Sequence, residues 1–288
     1  MEKIYYQLLF TQKSPLRIGN AYSESSDSDL MLDGRGMPFI PGTSLAGGIR
    51  HMAEKICNEE KVLNELFGNV STATENKKEE ISSSSVIIGD AVLGKDVLKE
   101  NVKIDKRDGV GLGEWETAKR NAKFDFQIAE SEQQFCAIIE WSGDETKKSK
   151  EIEQILEPIM KHLSAVGIRI GARTSRGYGD FSVKIRKLSF AFPQALATWL
   201  DFKPYEENAF ENAEFIQGKA IEFSTEIRIE FVMTGTFSVR VNTAKTELME
   251  DGSVPDSIPL KNHHGNPVIP GTVWAGVFRH HMHHLMRD

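Results

Sequence analysis

The chain has 288 residues, which predicts one large domain or two smaller ones with their own cores. Hydrophobic residues make up 40% and charged residues 27% of it, and no apolar run reaches the ~18 residues of a membrane helix. A start without a secretory signal and only two cysteines, Cys57 and Cys136, predict a reduced cytoplasmic protein with no membrane partner. The net charge of −7 argues against non-specific binding of nucleic acid.

The first part of the chain alternates between strand and helix patterns. A strand is predicted from Ile4 to Phe10, and the polar loop from Ser23 to Asp29 follows it. After the turn "IPG", Thr43 is the expected N-cap of a helix with an apolar face, formed by Leu45, Ile49, Met52 and Ile56. The polar segment from Val70 to Ser85 is expected to be disordered.

The middle of the chain continues the same alternation. The stretch "VIIGDAVL" predicts a buried strand, and "AKFDFQIAESEQQFCAIIEW" predicts two strands around a polar turn. A second helix is predicted between Ile152 and Leu163, with a kink at Pro158. The glycine-rich stretch "GIRIGARTSRGYGDF" leads into a further strand. Strands and helices interleaved in this way predict an α+β or α/β sandwich.

A connector from about residue 191 to 219 carries a short helix around "QALATWL", and the pattern then begins again. Alternating apolar residues from Ile227 to Met233 predict a strand, which precedes a polar loop, "IPGT" and a helix. "IPGTSLAGGIRHM" and "IPGTVWAGVFRHH" align at a constant offset of 229 residues, for example Gly42 with Gly271 and Arg50 with Arg279. The same offset relates Asp27 to Asp256, and it indicates a duplicated supersecondary unit.

Two elements suggest anion binding. The "IPG" turn delivers small residues and unpaired N–H groups to a helix start, which favours phosphate, although tight packing around the glycine explains it equally well. In "GARTSRGYG", glycines allow close backbone approach and Arg173 and Arg176 supply bidentate donors; a hairpin with solvated arginines is the alternative. From Lys161 to Lys187, seven basic residues face Asp180 as the one acid, which predicts an anion-binding face.

These motifs resemble the RAMP superfamily of CRISPR-associated proteins, in particular the repeated backbone subunit of type III effector complexes. The stretches that carry the resemblance are "GMPFIPGTSLAGGIR", "KRDGVGLGEWETAKRNAKFDFQIAE" and "GIRIGARTSRGYGDF". It implies an α+β, ferredoxin-like and RRM-related domain at residues 1–190, a connector at 191–219 and an incomplete second copy at 220–288. The implied partners are the CRISPR guide RNA, a target RNA and other effector subunits.

The resemblance also implies where the chemistry lies. Asp27 matches the loop aspartate that cleaves target RNA in catalytic members, Asp256 matches it in the second copy, and Asp29 and Asp33 are nearby competitors. Such a carboxylate can bind a divalent metal, expected to be Mg²⁺ on Asp27, or position a 2′-hydroxyl. The candidate RNA contacts are Thr43, Ser44, Gly47, Arg50, His51, Arg169, Arg173, Thr174, Ser175, Arg176, Gly177, Thr272, Trp274 and Arg279.

Two other functions stay open at this point. One is an architectural subunit that binds the guide RNA and its neighbours without catalysis, and the other is an endoribonuclease that processes the CRISPR transcript with a histidine such as His51. His280 and His284 share a helical face that suits a zinc or nickel ion, but a solvated or RNA-facing cluster is the alternative. Of the four tryptophans, only Trp274 is well placed to stack on a base.

Overall fold

A computed structural model describes residues 1–20, 25–68, 83–112, 118–144, 147–223, 232, 259–262 and 264–286. The strands are β1 (Glu2–Gln12), β2 (Val86–Ile88), β3 (Val92–Leu93), β4 (Ile104–Leu112), β5 (Ala118–Ala129), β6 (Gln134–Gly143), β7 (Ile168–Arg169) and β8 (Asp180–Ala191). The α-helices are α1 (Gly42–Ile56), α2 (Glu60–Phe67), α3 (Lys147–Val166), α4 (Leu196–Asp201) and α5 (Gly271–Leu285).

The main sheet is antiparallel and has the strand order β2-β6-β1-β8-β7, with β3 also paired to β6. In chain order, α1 follows β1 and α3 joins β6 to β8, so two strand–helix–strand units interleave around the central pair β1 and β6. This is the ferredoxin-like arrangement. The predicted α+β, ferredoxin-like fold is therefore confirmed for the first unit.

Both faces of the central strand β1 are covered. Ile4, Tyr6 and Leu8 are fully buried on the face that packs against α1 and α3, in accordance with the two-residue period of a strand. Tyr5 points to the opposite face and packs with Ile138, Phe190 and the connector. The sheet therefore has a helical layer on one side and the connector on the other.

The connector belongs structurally to the first unit. Phe210 is completely buried in the cluster around Tyr5, and Trp199 donates a hydrogen bond from Nε1 to the Tyr5 hydroxyl at 3.0 Å. Further along, the Ile221 N–H donates to Nδ1 of His162 on α3 at 2.9 Å. The packed body thus extends through the whole connector.

Strands β4 and β5 form a separate two-stranded ribbon, which follows β3 and precedes β6 in the chain. A buried ion pair anchors its base, where Nη2 of Arg107 lies 2.6 Å from Oε1 of Glu130 and Nη1 lies 3.3 Å from Oδ2 of Asp105. Glu130 is only 2% exposed, and its charge is compensated by Arg107 in this way. The ion pairs therefore hold the two sides of the ribbon together at its base.

Two details of the sequence-based expectations are corrected. Pro41, rather than Thr43, is the N-cap of α1, because the Pro-Gly turn places Thr43 inside the first helical turn. The stretch "VIIGDAVL" forms two short strands separated by Gly89, Asp90 and Ala91 instead of one strand. The two strands predicted in "AKFDFQIAESEQQFCAIIEW" both form, and they join different sheets, since β5 pairs with β4 and β6 with β1.

The described parts of the repeated unit have the same local geometry. Both α1 and α5 contain 15 residues, begin at the glycine of "IPG" and have a proline N-cap. The isolated bridge between Leu32 and Pro38 recurs between Lys261 and Pro267. The predicted strand from Ile227 to Met233 and most of the segment from Val70 to Ser85 lie outside the described residues, and the predicted second domain stays a prediction. Within the described residues, no helix is long and apolar enough to span a membrane.

Candidate nucleic-acid interface

Strand β5 presents two chemically different faces. Successive side chains of a strand point to opposite sides, so Phe124 and Phe126 lie on one face and Asp125 and Gln127 on the other. The phenyl face packs with Tyr178 of the glycine-rich loop, and the polar face bonds the loop that carries Asp27. The ribbon therefore stands between the two loops that the sequence marks as functional.

The glycine-rich loop has a backbone that only glycine fits at two of its positions. Gly171 and Gly179 have φ values of +95° and +68°, in the left-handed region. A Cβ on Gly179 would lie 1.8 Å from the carbonyl oxygen of Ile170, and one on Gly171 would lie 2.5 Å from that of Arg17. The predicted close backbone approach is thus real, but the approaching group is the protein's own chain.

Arginine side chains stack on the phenyl face of the ribbon. The guanidinium carbon of Arg173 lies 4.3 Å from the ring centre of Phe126 and 4.8 Å from that of Phe124, and Arg17 lies 4.4 Å from Phe126. These contacts are cation–π interactions that hold the cations in fixed positions. Arg173 itself has a positive φ of 64°, which its stacking helps to maintain.

The arginines of this cluster influence one another. Burial, followed by the neighbouring positive charges of Arg17 and Arg176, lowers the pKa of Arg173. Burial also lowers the pKa of Arg17, and among the described residues nothing accepts a hydrogen bond from its buried Nε. A group of crowded cations gains from an anionic ligand, because such a ligand relieves their repulsion.

The rest of the loop is open to solvent. Ser175, Arg176 and Gly177 are exposed, Thr174 is half-buried, and Arg169 is exposed at the edge strand β7. Apart from its chain neighbours, no atom of the described residues lies within 4 Å of a Cβ placed on Gly177. The structure therefore places these predicted contacts beside Arg173 on an accessible surface.

The loop that carries Asp27 is bonded to the polar face of β5. The Asp27 N–H donates to Oδ1 of Asp125 at 2.8 Å, and the Asp125 N–H donates in return to Oδ2 of Asp27 at 2.9 Å. Gln127 adds two bonds, from its Nε2 to Oγ of Ser25 at 2.7 Å and from the Leu30 N–H to its Oε1 at 3.0 Å. Asp27 is exposed but fixed at its backbone and at one carboxylate oxygen.

The two competing aspartates have local structural roles. Asp29 accepts hydrogen bonds from the hydroxyls of Ser25 and Ser26. Asp33 accepts from the N–H groups of Arg35 and Met37 at 2.8 and 2.9 Å and pairs with the Arg35 guanidinium. Partial burial opposes ionisation of Asp33, but these hydrogen bonds outweigh it and lower its pKa. Asp27 is thus the loop carboxylate with the most accessible position.

The start of α1 is occupied by protein. The Gly42 N–H donates to Oδ1 of Asp90 at 2.7 Å, and a Cβ on Gly42 would lie 2.4 Å from the Ile88 carbonyl oxygen. The tight-packing alternative therefore explains this glycine, and Asp90 takes the place expected for a phosphate. Thr43 and Gly47 are exposed, whereas Ser44 is half-buried.

The cationic residues predicted on α1 also contact protein groups. Arg50 donates from its guanidinium to the Gly68 carbonyl and to Oδ1 of Asn64, both at 2.8 Å, and so ties α1 to α2. His51 is exposed, with Nδ1 3.6 Å from Oε2 of Glu54. Of the two, His51 is the one that an RNA can reach without breaking an existing hydrogen bond.

The described part of the predicted second copy, helix α5, meets the glycine-rich loop. A Cβ on Gly271 would lie 2.1 Å from the carbonyl oxygen of Arg176, so the start of α5 packs directly on the loop. Thr272 and Trp274 are half-buried near this contact, and Arg279 is exposed further along α5. Asp256 lies outside the described residues.

The basic stretch from Lys161 to Lys187 does not form one face, which corrects the sequence-based expectation. Lys161 and Lys187 both pair with Glu157, at 2.6 and 3.5 Å, and Glu157 lies just before this stretch in the sequence. Arg186 stacks on Phe215 of the connector at 4.5 Å. The cations that remain around the glycine-rich loop come from β7 and from the loop itself.

Metal ligands are sparse around Asp27. Within the described residues, no group of three or more histidine, cysteine, aspartate or glutamate side chains is arranged to hold a metal ion. The protein groups there do not by themselves form a preformed cation site. On α5, the rings of His280 and His284 lie 5.4 Å apart between centroids, on one face as predicted.

Sequence reasoning missed Arg17, Asp125 and the two phenyl rings of β5. The alternation of aromatic and polar residues in "KFDFQ" is the signal that indicates a two-faced strand. The partners of each face come from distant loops, and the alternation alone does not identify them.

This fold and this surface define an α+β protein with a candidate nucleic-acid interface on one inserted ribbon. The family model of the RAMP superfamily matches residues 10–182. The chain therefore belongs to the RAMP superfamily.

Solved structures from one kind of assembly are similar. One is a cryo-EM structure of the Type III-B Cmr-beta bound to cognate target RNA, with a TM-score of 0.47 and 11% identity over 62% of this chain and 96% of that chain. Another is the Type III-B Cmr-beta in the apo state, with a TM-score of 0.46 and 9% identity over the same shares of 62% and 96%. Among curated proteins, none matches.

Proposed function

We propose that this protein is an RNA-binding subunit of a type III CRISPR effector complex that holds the guide RNA and cleaves the paired target RNA with Asp27. Membership of the RAMP superfamily supports the class. The observation that carries the proposal is the position of β5, which bonds the Asp27 loop on one face and stacks Arg173 on the other. One ribbon thereby links the candidate RNA-binding loop to the candidate catalytic carboxylate.

The glycine-rich loop is the proposed guide-binding element. Arg173 and Arg176 present guanidinium groups that suit phosphate oxygens, and the exposed hydroxyl of Ser175 adds a neutral donor. Because phosphate contacts carry no sequence information, this loop would accept any guide sequence. Thr272, Trp274 and Arg279 on α5 extend the same surface in the proposal, since α5 begins against Arg176.

Asp27 is the proposed catalytic residue for target cleavage. Its Oδ2 is bonded to the β5 backbone, and within the described residues no group donates to its Oδ1. A carboxylate held in this way can accept the hydrogen bond of a ribose 2′-hydroxyl and orient it toward the adjacent phosphate. A divalent metal such as Mg²⁺ is the expected cofactor and would stabilise the charge that develops on the phosphate.

The test is cleavage of a complementary target RNA by the complex assembled with this subunit, in the presence of Mg²⁺ or EDTA. We expect Asp27→Ala to abolish cutting while target affinity stays within about twofold of wild type, and EDTA to stop the wild-type reaction. Asp29→Asn in the same loop is the matched control, because it keeps an acceptor oxygen for Ser25 and Ser26, and it should cut. Cutting by Asp27→Ala at the wild-type rate contradicts the proposal.

Two other outcomes lead to the other candidate functions. Guide and target binding without cleavage by the wild-type complex indicates an architectural subunit. Metal-independent cutting of the precursor transcript, abolished by His51→Ala, indicates a processing endoribonuclease; the exposure of His51 is the observation that favours testing it.

A further inference from the structure

Asp125 lies on the polar face of β5, outside the repeated "IPG" unit. Its carboxylate accepts the backbone N–H of Asp27 at 2.8 Å, and its own N–H bonds Oδ2 of Asp27 at 2.9 Å. The two residues are 98 positions apart in the chain, so this reciprocal pair is a tertiary contact and not a local turn. We propose that Asp125 is a positioning residue for Asp27, and this proposal rests on the catalytic role proposed for Asp27.

The geometry defines what Asp125 does. The bond to the Asp27 N–H fixes the backbone of the loop at the catalytic residue, and the return bond turns Oδ2 toward β5. The same two bonds therefore determine where the other carboxylate oxygen of Asp27, Oδ1, lies on the surface. Displacing a reacting group by about 1 Å can slow a reaction on the order of 100-fold, so a bond of this kind matters for rate.

The surrounding contacts explain why Asp125 can hold the loop. Lys106 on β4 donates from Nζ to the Ser25 carbonyl and lies 4.0 Å from Oδ2 of Asp125, which offsets the negative charge of the two neighbouring carboxylates. The Gln127 N–H donates to the Ser28 carbonyl at 3.0 Å. The ribbon therefore contacts the loop on both sides of Asp27.

The opposite face of β5 contacts the glycine-rich loop. Phe124 and Phe126, the immediate neighbours of Asp125, carry the stacked guanidinium of Arg173. A guide RNA that contacts Arg173 is thus separated from Asp27 by the thickness of one strand. Asp125 is the residue through which the position of β5 is transmitted to the Asp27 backbone.

The experiment compares Asp125→Ala, Asp125→Asn and a matched control in the assembled complex, using hydrogen exchange of residues 25–30 and single-turnover cleavage of target RNA. Asp125→Ala removes the acceptor, so we expect deuterium uptake in this segment to be about fivefold faster and cleavage to fall by about 10- to 100-fold, with target affinity within about twofold. Asp125→Asn keeps an acceptor oxygen, and both readouts should stay near wild type.

Asp108→Ala is the control, because Asp108 lies directly opposite Asp125 on β4 and pairs with Lys123 rather than with the loop. It should leave both readouts unchanged. Wild-type uptake and cleavage in Asp125→Ala overturn the inference. The inference is also overturned if Asp125→Asn cleaves as slowly as Asp125→Ala, because the lost negative charge would then explain the slower cleavage. Cleavage of target RNA by Asp27→Ala contradicts the proposed function and not this inference. In that case the deuterium uptake of residues 25–30 alone decides whether Asp125 holds the loop.

Discussion

At the scale of single residues, the two copies of the repeated turn show which property of Asp33 the turn requires. Asn262 accepts hydrogen bonds from the N–H groups of His264 and Asn266 at 3.1 and 2.9 Å, just as Asp33 accepts from Arg35 and Met37. An oxygen acceptor is therefore what the turn requires, and a charge is not. This distinguishes Asp33 from Asp27 although both lie before the same "IPG" turn.

This difference predicts the effect of substitutions at Asp33. Asp33→Ala should lower the free energy of unfolding by about 1–2 kcal/mol at pH 7 through the lost acceptor, and Asp33→Asn should lower it less. Because the folded protein lowers the pKa of Asp33 from its ordinary value of 3.8, its ionic contribution is present above that pH and lost as pH falls below it.

Urea unfolding at pH 7 and at pH 3 measures both effects. The difference in the free energy of unfolding between pH 7 and pH 3 should be smaller for Asp33→Asn than for the wild type. Asp96→Ala, at an exposed aspartate, is the control and should match the wild type. An equal loss for Asp33→Asn and Asp33→Ala at pH 7 would contradict the turn argument.

A second prediction at this scale concerns Arg176, whose side chain is exposed in the glycine-rich loop. If it binds a guide phosphate, Arg176→Ala should weaken binding of all guide sequences alike and reduce the slope of log affinity against log salt by about 1. Titrations of labelled guide RNA at several salt concentrations measure this. Lys203→Ala, an exposed cation on the connector, should leave the slope unchanged.

At the scale of elements, glycine conformation and helix-end chemistry decide the shape of the candidate interface. The left-handed glycines let the loop fold closely against the carbonyl groups of Arg17 and Ile170, and the loop thereby brings Arg173 over the rings of β5. At α1, by contrast, the unpaired N–H group that an anion would bind is used by Asp90. The glycine-rich loop and the start of α1 thus carry similar sequence signals for anion binding but differ in the structure. A neighbouring side chain occupies the start of α1, whereas the glycine-rich loop stays accessible.

The glycines of the loop provide a prediction with a built-in comparison. Gly177 and Gly179 both have positive φ values, but only Gly179 would place a Cβ against backbone, 1.8 Å from the Ile170 carbonyl oxygen. Gly177→Ala should therefore cost only the backbone penalty of about 1–2 kcal/mol, and Gly179→Ala should cost clearly more. Thermal unfolding of the two variants tests this order, and equal losses would show that the close contact relaxes freely.

At the scale of the whole molecule, the connector completes the first unit. Its aromatic residues cover the sheet face that carries Tyr5, Ile138 and Phe190. The sheet would otherwise expose an apolar surface, which costs about 1.5–3 kcal/mol for each large side chain. The candidate functional loops lie on a body whose stability depends on residues well beyond the predicted boundary at residue 190.

Truncation tests this directly. A chain that ends after residue 223 should unfold cooperatively with the first-unit stability intact, because Phe210 and the bond from Ile221 to His162 are retained. A chain that ends after residue 190 should be less stable by at least about 3 kcal/mol, since it exposes that face of the sheet. Urea unfolding followed by tryptophan fluorescence compares the two, and equal midpoints would mean that the connector does not contribute.

Some of this architecture was predictable from the sequence because it depends on local periodicity. Alternation along β1 and β8, helical spacing in α1 and α3, and the repeated "IPG" turn each report on residues that are close in the chain, and the structure places these elements as expected. The resemblance of three motifs to the RAMP superfamily added the ferredoxin-like fold and identified Asp27 as a candidate. The glycine-rich pattern identified Arg173.

The tertiary structure alone decided which candidates have open surfaces and which have protein partners. Asp90 accepts the Gly42 N–H at the start of α1, Glu157 on α3 pairs with Lys187 on β8, and Asp125 on β5 holds the Asp27 loop, and each of these contacts joins distant parts of the chain. Hydrogen bonds and ion pairs depend on distance in space, whereas sequence patterns report distance along the chain. The sequence therefore determined the elements and their chemistry, and packing determined which groups meet.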